Sequence, residues 1–206
     1  MGIRFDNQVA IVTGAGGGLG KEHALDLARR GARVVVNDLG GGVDGSGASD
    51  AAKAVVDQIM SEGGEAIANG ASVTDLDAVK AMVNEAMEKW GRIDILVNNA
   101  GILRDKSFHK DSIESFNTVM DVHFQGTLNC THTVYPIMRE QEFGRIIFTS
   151  SSSGVFGNFG QANYGSAKMA MIGLMNTLKL EGQKYNVYTN SITPVAYTRM
   201  TEGLIP

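Results

Sequence analysis

Short apolar runs alternate along this chain with longer segments of helical period. The runs lie at 9–12, 34–36, 93–97, 146–148 and 187–192, with a weaker one at 66–68. The strong ones are β-branched and nearly continuous, the pattern of strands buried on both faces. Between them, residues 19–30, 51–60, 76–90, 113–120, 126–139 and 164–185 repeat with helical spacing. Strand alternating with helix predicts a parallel sheet covered by helices on both sides. Right-handed crossovers then give an α/β fold, a Rossmann-type doubly wound sheet in three α/β/α layers, with strand order 3-2-1-4-5-6. No repeat or linker interrupts it, so residues 1–206 read as a single domain. One biased stretch, residues 40–49, holds five glycines and predicts a mobile loop. It is either a plain connection or a wall of a neighbouring site.

Composition narrows the function classes. A chain of 206 residues can bury roughly 70% of its unfolded surface, so it needs no metal or disulfide staple. The net charge of −4 leaves no basic excess for a nucleic-acid backbone. Cys130 is the only cysteine, which excludes an internal disulfide and fits a reducing compartment such as the cytoplasm. No apolar stretch is long enough to span a membrane, and the first six residues carry neither a signal run nor a myristoylation pattern.

The candidate chemistry begins at Thr13-Gly14-Ala15-Gly16-Gly17-Gly18-Leu19-Gly20, between the first strand and the first helix. Gly14 and Gly18 can take positive φ and let a ligand approach the backbone. The helix that opens near Leu19 offers unpaired N–H groups to a pyrophosphate. Ala15 and Glu22 exclude a P-loop, and Leu19 breaks the G-x-G-x-x-G spacing. Asp38 ends the second strand, 24 residues after Gly14. A carboxylate there can accept both ribose hydroxyls of NAD and repel the extra phosphate of NADP; the alternative is a solvated helix cap.

Ser151, Tyr164 and Lys168 form the second constellation. Ser151 follows a strand at the carboxyl edge of the sheet, and Tyr164 and Lys168 share a helix face as i and i+4. A phenol with a pKa of about 10 is a poor base at neutral pH. An ammonium about 4 Å away, worth roughly 4 kcal/mol, would bring it near 7. Tyr164 would then exchange a proton with an alcohol or ketone whose oxygen Ser151 holds. The alternative for the Tyr/Lys pair alone is an amphipathic helix face.

With these motifs in place the sequence resembles the short-chain dehydrogenase/reductase family. The matching elements are residues 13–20, Asn98-Asn99-Ala100-Gly101, Ser151, and Tyr164 with Lys168. Within the family it is most similar to (3R)-hydroxyacyl-CoA dehydrogenase domains of the type found in peroxisomal multifunctional β-oxidation enzymes and their bacterial relatives. That likeness rests on Val36-Asn37-Asp38-Leu39-Gly40-Gly41, on Arg104-Asp105 with Ser107-Phe108, and on Gly157-Asn158-Phe159-Gly160-Gln161-Ala162-Asn163-Tyr164.

The resemblance implies that Ser151, Tyr164 and Lys168 are catalytic, with Lys168 also holding the nicotinamide ribose. It implies NAD contacts at Leu19 and Asp38, at Ser72 and Val73 beside the adenine, and at Asn99 and Ala100 beside the adenosine ribose. Ala196 and Thr198 would reach the nicotinamide end. His123 stands where the family usually has Asn. It either supports a water-linked proton relay from Lys168 or fills a helix kink. The family usually has Asp where Ser72 stands and Pro-Gly where this chain has Pro194-Val195.

Family members also continue for several dozen residues beyond position 206, adding a strand and a lid helix, so the native protein is expected to be longer. A longer chain would also admit a peroxisomal location. The resemblance implies a homodimer or homotetramer joined through residues 126–139 and the helix after Tyr164. Phe156, Phe159, Met171 and Met175 read as core or pocket wall. The expected function is NAD-dependent interconversion of a (3R)-3-hydroxyacyl-CoA and its 3-oxoacyl-CoA, in fatty-acyl or sterol side-chain metabolism. The alternatives are a 17β-hydroxysteroid dehydrogenase and a non-catalytic NAD-binding or assembly subunit.

Overall fold

The computed structural model describes residues 2–46 and 49–195. The strands are β1 (Val9–Thr13), β2 (Arg33–Asn37), β3 (Glu65–Asn69), β4 (Ile95–Asn98), β5 (Gly144–Thr149) and β6 (Val187–Ile192). They form one sheet in the order β3-β2-β1-β4-β5-β6, with every neighbouring pair parallel. This is the order expected from the alternation of runs. The near-continuous apolar runs resolve into two cores because side chains alternate along a strand. Ala10, Val12, Val34 and Val36 pack on α1 (Gly18–Arg29) and α2 (Ala51–Ser61). Ile11, Val35, Leu96 and Phe148 pack on the other side against α3 (Leu76–Trp90), α5 (Gly126–Glu140) and α7 (Ala162–Gly182).

Local chemistry sets the helix ends. Asp75 caps α3 by accepting from the N–H groups of Asp77 and Ala78, and Gly91 ends it in the left-handed conformation. α1 differs: its N-cap is Gly17, so no side chain caps its first turn. The helix α4 (Ile113–Met120) does not stop where the sequence period does. It runs through a π-helical turn, Asp121–Gln125, directly into α5. No glycine or proline stands within 121–125 to end it, and the wider turn absorbs the change of phase. Two short elements escaped the periodicity: α6 (Ser152–Phe156) and a 3₁₀ turn, Phe108–Lys110. Both are too short to show a period.

The amino edge of the sheet is closed by paired charges. The buried Asp94 accepts from the backbone N–H of Val9 at 2.8 Å and from Arg92 at 2.7 and 2.8 Å. A cavity of about 380 Å³ opens there between Arg29, Arg33, Glu62 and Glu65. Those side chains pair with one another, Arg29 with Glu62 at 2.7 Å and Arg33 with Glu65 at 3.2 Å, which leaves a ligand little unmatched charge to bind. No helix among the described residues is long and apolar enough to cross a membrane.

Candidate active site

The carboxyl edge of the sheet carries the candidate chemistry. At β1, Gly14 takes a φ of +63° and Gly18 a φ of +53°, the conformations expected of this loop. The space is also spoken for: a Cβ on Gly14 would come within 2.8 Å of Ala100 Cα, and one on Gly20 would overlap the Gly14 carbonyl. Thr13 braces the loop to β4, because its hydroxyl donates to Val97 O and accepts from the N–H groups of Asn99 and Ala100. Asn99 completes the brace by donating to the carbonyls of Thr13 and Gly14, both at 3.0 Å.

A cavity of about 300 Å³ lies over this loop. Its lining includes Gly14, Gly18 and Leu19, the strand-end Asp38, the pair Ser72 and Val73, and the pair Asn99 and Ala100. The described residues expected around the pyrophosphate and the adenosine half therefore meet around one space, whereas Tyr164 and Lys168, the latter expected at the nicotinamide ribose, are not part of its lining. Ala196 and Thr198 lie outside the described residues. Asp38 accepts from Gly16 N at 2.8 Å and Gly40 N at 2.7 Å, so it fixes the loop as well as facing the cavity. The uncapped first turn of α1, the side-chain-free loop and the carboxylate fit a dinucleotide: donors for a pyrophosphate, an acceptor for a ribose. The glycine-rich stretch after Asp38 touches the segment after β4 over its described part. Leu103 N donates to Val43 O, and Arg104 donates to Asp44 O.

The second constellation sits one layer further along. Ser151 caps α6 after β5 and accepts from Ser153 N at 3.2 Å. Tyr164 and Lys168 lie in the first two turns of α7, with the ammonium 5.3 Å from the phenol ring centre. Lys168 is buried, and its Nζ donates to Thr149 O at 2.6 Å. His123 lies in the π turn, also buried, with its ring 5.1 Å from that of Tyr164 in an edge contact. Its Nε2 lies 2.8 Å from Ile102 O and 3.1 Å from Ile102 N, while its buried Nδ1 has no partner. A Cβ on Gly101 would overlap this imidazole, so the glycine after Ala100 makes room for it. Ile102 in turn lines the cavity, which connects the two constellations.

The electrostatics correct one expectation. Burial pushes the Tyr164 phenol above its ordinary pKa; the Ser151 hydroxyl opposes this by hydrogen bonding, and Asp105 adds to it. The Lys168 ammonium does not offset this, and burial lowers its own pKa to about 7. The same burial, with the Lys168 charge, holds His123 at about 3, so the imidazole is neutral. The three side chains thus lie together, and burial favours a protonated phenol.

Sequence reasoning missed the frame that holds Tyr164. Asn163 accepts from Tyr164 N at 2.6 Å and donates to Arg104 O at 3.1 Å and Asp111 Oδ2 at 3.0 Å. Gln161 donates to Asp105 at 2.8 Å, and Lys106 N donates to Gly160 O at 2.8 Å. The polar run 157–164 was the available signal, since buried amides need partners. Of the two readings of Phe156 and Phe159, core or pocket wall, their 86% and 90% exposure excludes core, whereas Met171 is buried and Met175 packs beside it.

Comparisons with known proteins place the fold in a family. A family profile described as short chain dehydrogenase matches residues 8–205. The peroxisomal multifunctional enzyme type 2 of Drosophila melanogaster is 55% identical over 205 residues, 99% of this chain and 34% of that protein. This chain therefore spans about a third of that relative's length. A crystal structure of a short chain dehydrogenase from Mycobacterium avium superposes with a TM-score of 0.87 at 45% identity, over 95% of this chain and 70% of that one. A 7α-hydroxysteroid dehydrogenase complexed with NADH and a 7-oxo bile acid superposes with a TM-score of 0.89 at 32% identity, over 98% and 76%.

Proposed function

The chain belongs to the short-chain dehydrogenase family, a family of nicotinamide-dependent oxidoreductases, and from that premise we propose that it interconverts a (3R)-3-hydroxyacyl-CoA and a 3-oxoacyl-CoA using NAD. The observation that carries this reading is the meeting of Ser151, Tyr164 and Lys168 beside a cavity lined by the glycine loop and Asp38. The substrate class is supported by 46% identity on superposition to the Drosophila melanogaster peroxisomal multifunctional enzyme type 2, against 32% to the hydroxysteroid dehydrogenase.

Gly14, Gly18 and Leu19 would hold the pyrophosphate, and Asp38 the adenosine ribose, with Ser72, Val73, Asn99 and Ala100 bordering the adenosine half. An acid at position 38 favours NAD over NADP by repelling a 2′-phosphate. When bound, the nicotinamide supplies the carbon that gives or takes hydride. Ser151 holds the substrate oxygen through its hydroxyl. Tyr164, protonated at rest, is ready to donate to a ketone; alcohol oxidation first requires it to lose that proton. Lys168 is the neighbouring base-strength control: an ammonium there favours the phenolate, and its own pKa near 7 makes that control sensitive to pH.

For His123 the contacts support packing. It wedges the π turn against Ile102 and the edge of Tyr164, and it is neutral. A His123→Ala enzyme should keep the shape of its pH–rate profile; a displaced limb would favour the proton relay. We also read α5 and α7 as a homo-oligomer interface. Met169 and Leu180 of α7 are exposed, and Gly173 has open space beside it.

The test is NADH formation from a panel of 3-hydroxyacyl-CoA thioesters and hydroxysteroids, run in parallel with NAD and NADP. Tyr164→Phe should lower kcat by about 10²- to 10⁴-fold while leaving NADH binding intact. Full activity in that variant would overturn the assignment. NAD binding without turnover of either panel would favour the assembly subunit.

A further inference from the structure

Two loops flank the Tyr164 end of α7, and both display phenylalanine to solvent. Phe159 sits between Gly157 and Gly160, which take φ of +78° and +79°. Its loop is tied down by Lys106 N to Gly160 O, by Asn158 to Gln161, and by Gln161 to Asp105. Phe156 ends α6, and Phe108 lies on the opposing loop at 72% exposure. A flexible loop would tuck such rings away; here a rigid frame holds them out, at a cost that binding can recover.

The opposing loop also carries Lys106 and Lys110, exposed and without an ion pair within 4.0 Å among the described residues, and Arg104, whose guanidinium donates to Asp44 O and acts on the Asp44 carboxylate. Its carboxylates, Asp105 and Asp111, are engaged by the amides of Gln161 and Asn163. Cations thus outnumber acids on this loop in a chain of net charge −4.

We propose that these two loops form the entry surface for the thioester substrate: Phe156, Phe159 and Phe108 cover the acyl chain, and Lys106, Lys110 and Arg104 hold the phosphates of its coenzyme A carrier. The inference rests on the acyl-CoA reading above and assigns to it residues outside the catalytic set. Its reasoning is the amphipathic match. A coenzyme A thioester has an apolar chain on one side of the reacting carbon and a phosphate-bearing carrier on the other, and this surface offers both beside Tyr164. A steroid would use the phenylalanines but not the cations.

The experiment compares a 3-oxoacyl-CoA with the same acyl group on N-acetylcysteamine, which lacks phosphates, in wild type and in Lys106→Glu/Lys110→Glu. The double variant should lose about tenfold or more in kcat/KM for the coenzyme A ester, carried by KM, and nothing for the short thioester. Raising salt should increase the wild-type KM for the coenzyme A ester alone, a readout that survives if the variant folds poorly. Phe159→Ser should lower kcat/KM increasingly with acyl length. Equal losses on both thioesters, or a salt-insensitive KM, would overturn the entry surface while leaving the acyl-CoA reading standing. Failure of wild type to turn over any acyl-CoA, with alcohol oxidation elsewhere in the panel, would overturn both.

Discussion

The two edges of one parallel sheet treat buried polar groups in opposite ways. At the amino edge, Asp94 is buried with every contact satisfied: a bidentate arginine and the first amide of β1. At the carboxyl edge, Asn98 Oδ1, His123 Nδ1 and Thr149 Oγ1 are buried with no protein partner, and Lys168 is buried with an ammonium that burial disfavours; Tyr135 Oη, near the start of β6, is the amino-edge exception. Native structures rarely leave such groups unpaired, because each costs about 1–3 kcal/mol. In a parallel sheet all strands end on one edge, where the loops lead into helix N-termini, the side on which such sheets bind ligands. One edge closes the sheet; the other holds polar groups ready for a ligand.

The sharpest way to break this contrast is Lys168→Met. Activity should fall by about 10²-fold or more, since the phenol loses its charge control. Stability should move the other way. Lys168 has a folded pKa of about 7 and an unfolded one of about 10.4. Between those values the unfolded chain binds more protons, so wild-type stability rises with pH across that window and bears the full penalty below pH 7. Urea unfolding at pH 7 and pH 9 should show this rise in wild type and lose it in the methionine variant, which should be the more stable at pH 7. A methionine variant less stable than wild type would put Lys168 among the structural residues.

Asp94→Ala should do the reverse at the other edge. It strands the Val9 amide and frees Arg92, whose partial exposure lets it reach water. The expected loss is about 2–3 kcal/mol of unfolding free energy with kcat unchanged, from denaturant melts beside turnover at 25 °C. A fall in kcat at constant stability would mean that the two edges are coupled.

This contrast also explains what could be read from residues alone. Strand order, the two cores and the positions of Gly14, Asp38, Ser151, Tyr164 and Lys168 follow from periods and spacings, which are local properties. The direction of the Tyr164 shift is not legible in sequence because it depends on burial, and burial of Lys168 is set by β5 and α6. The π turn was invisible because its five residues have no composition of their own. Whether Phe156 and Phe159 are core or pocket wall is not decided by sequence, because apolar residues beside a motif fit both until the loop geometry is known.

A smaller effect should appear in acid. His123 is held at about 3 in the fold against about 6.5 unfolded, so the unfolded chain binds the extra proton between those values. Stability therefore falls as pH drops from 6.5 toward 3. His123→Asn should flatten that limb of a Tm-against-pH curve. His23, half-buried and also depressed by burial, titrates in the same direction, so His23→Asn is the control. Equal flattening by both variants would remove any special status from the carboxyl-edge imidazole.

The smallest effect belongs to the amino edge again. Arg29 holds the Glu62 carboxyl at about 2, aided by Gln58. A depressed carboxyl contributes stability above its unfolded pKa and loses it as pH falls toward the folded value. Yet both side chains are substantially exposed, so water and ions screen the pair. Glu62→Gln should therefore shift the acid limb slightly at low ionic strength and leave it unchanged at 0.5 M salt, a concentration at which the Debye length is only about 4 Å. The His123 effect should survive that salt, because a buried ring gains nothing from mobile counterions. If salt erased both effects equally, burial would no longer distinguish the two edges, and the excess of unpaired groups at the carboxyl edge would lose its physical meaning.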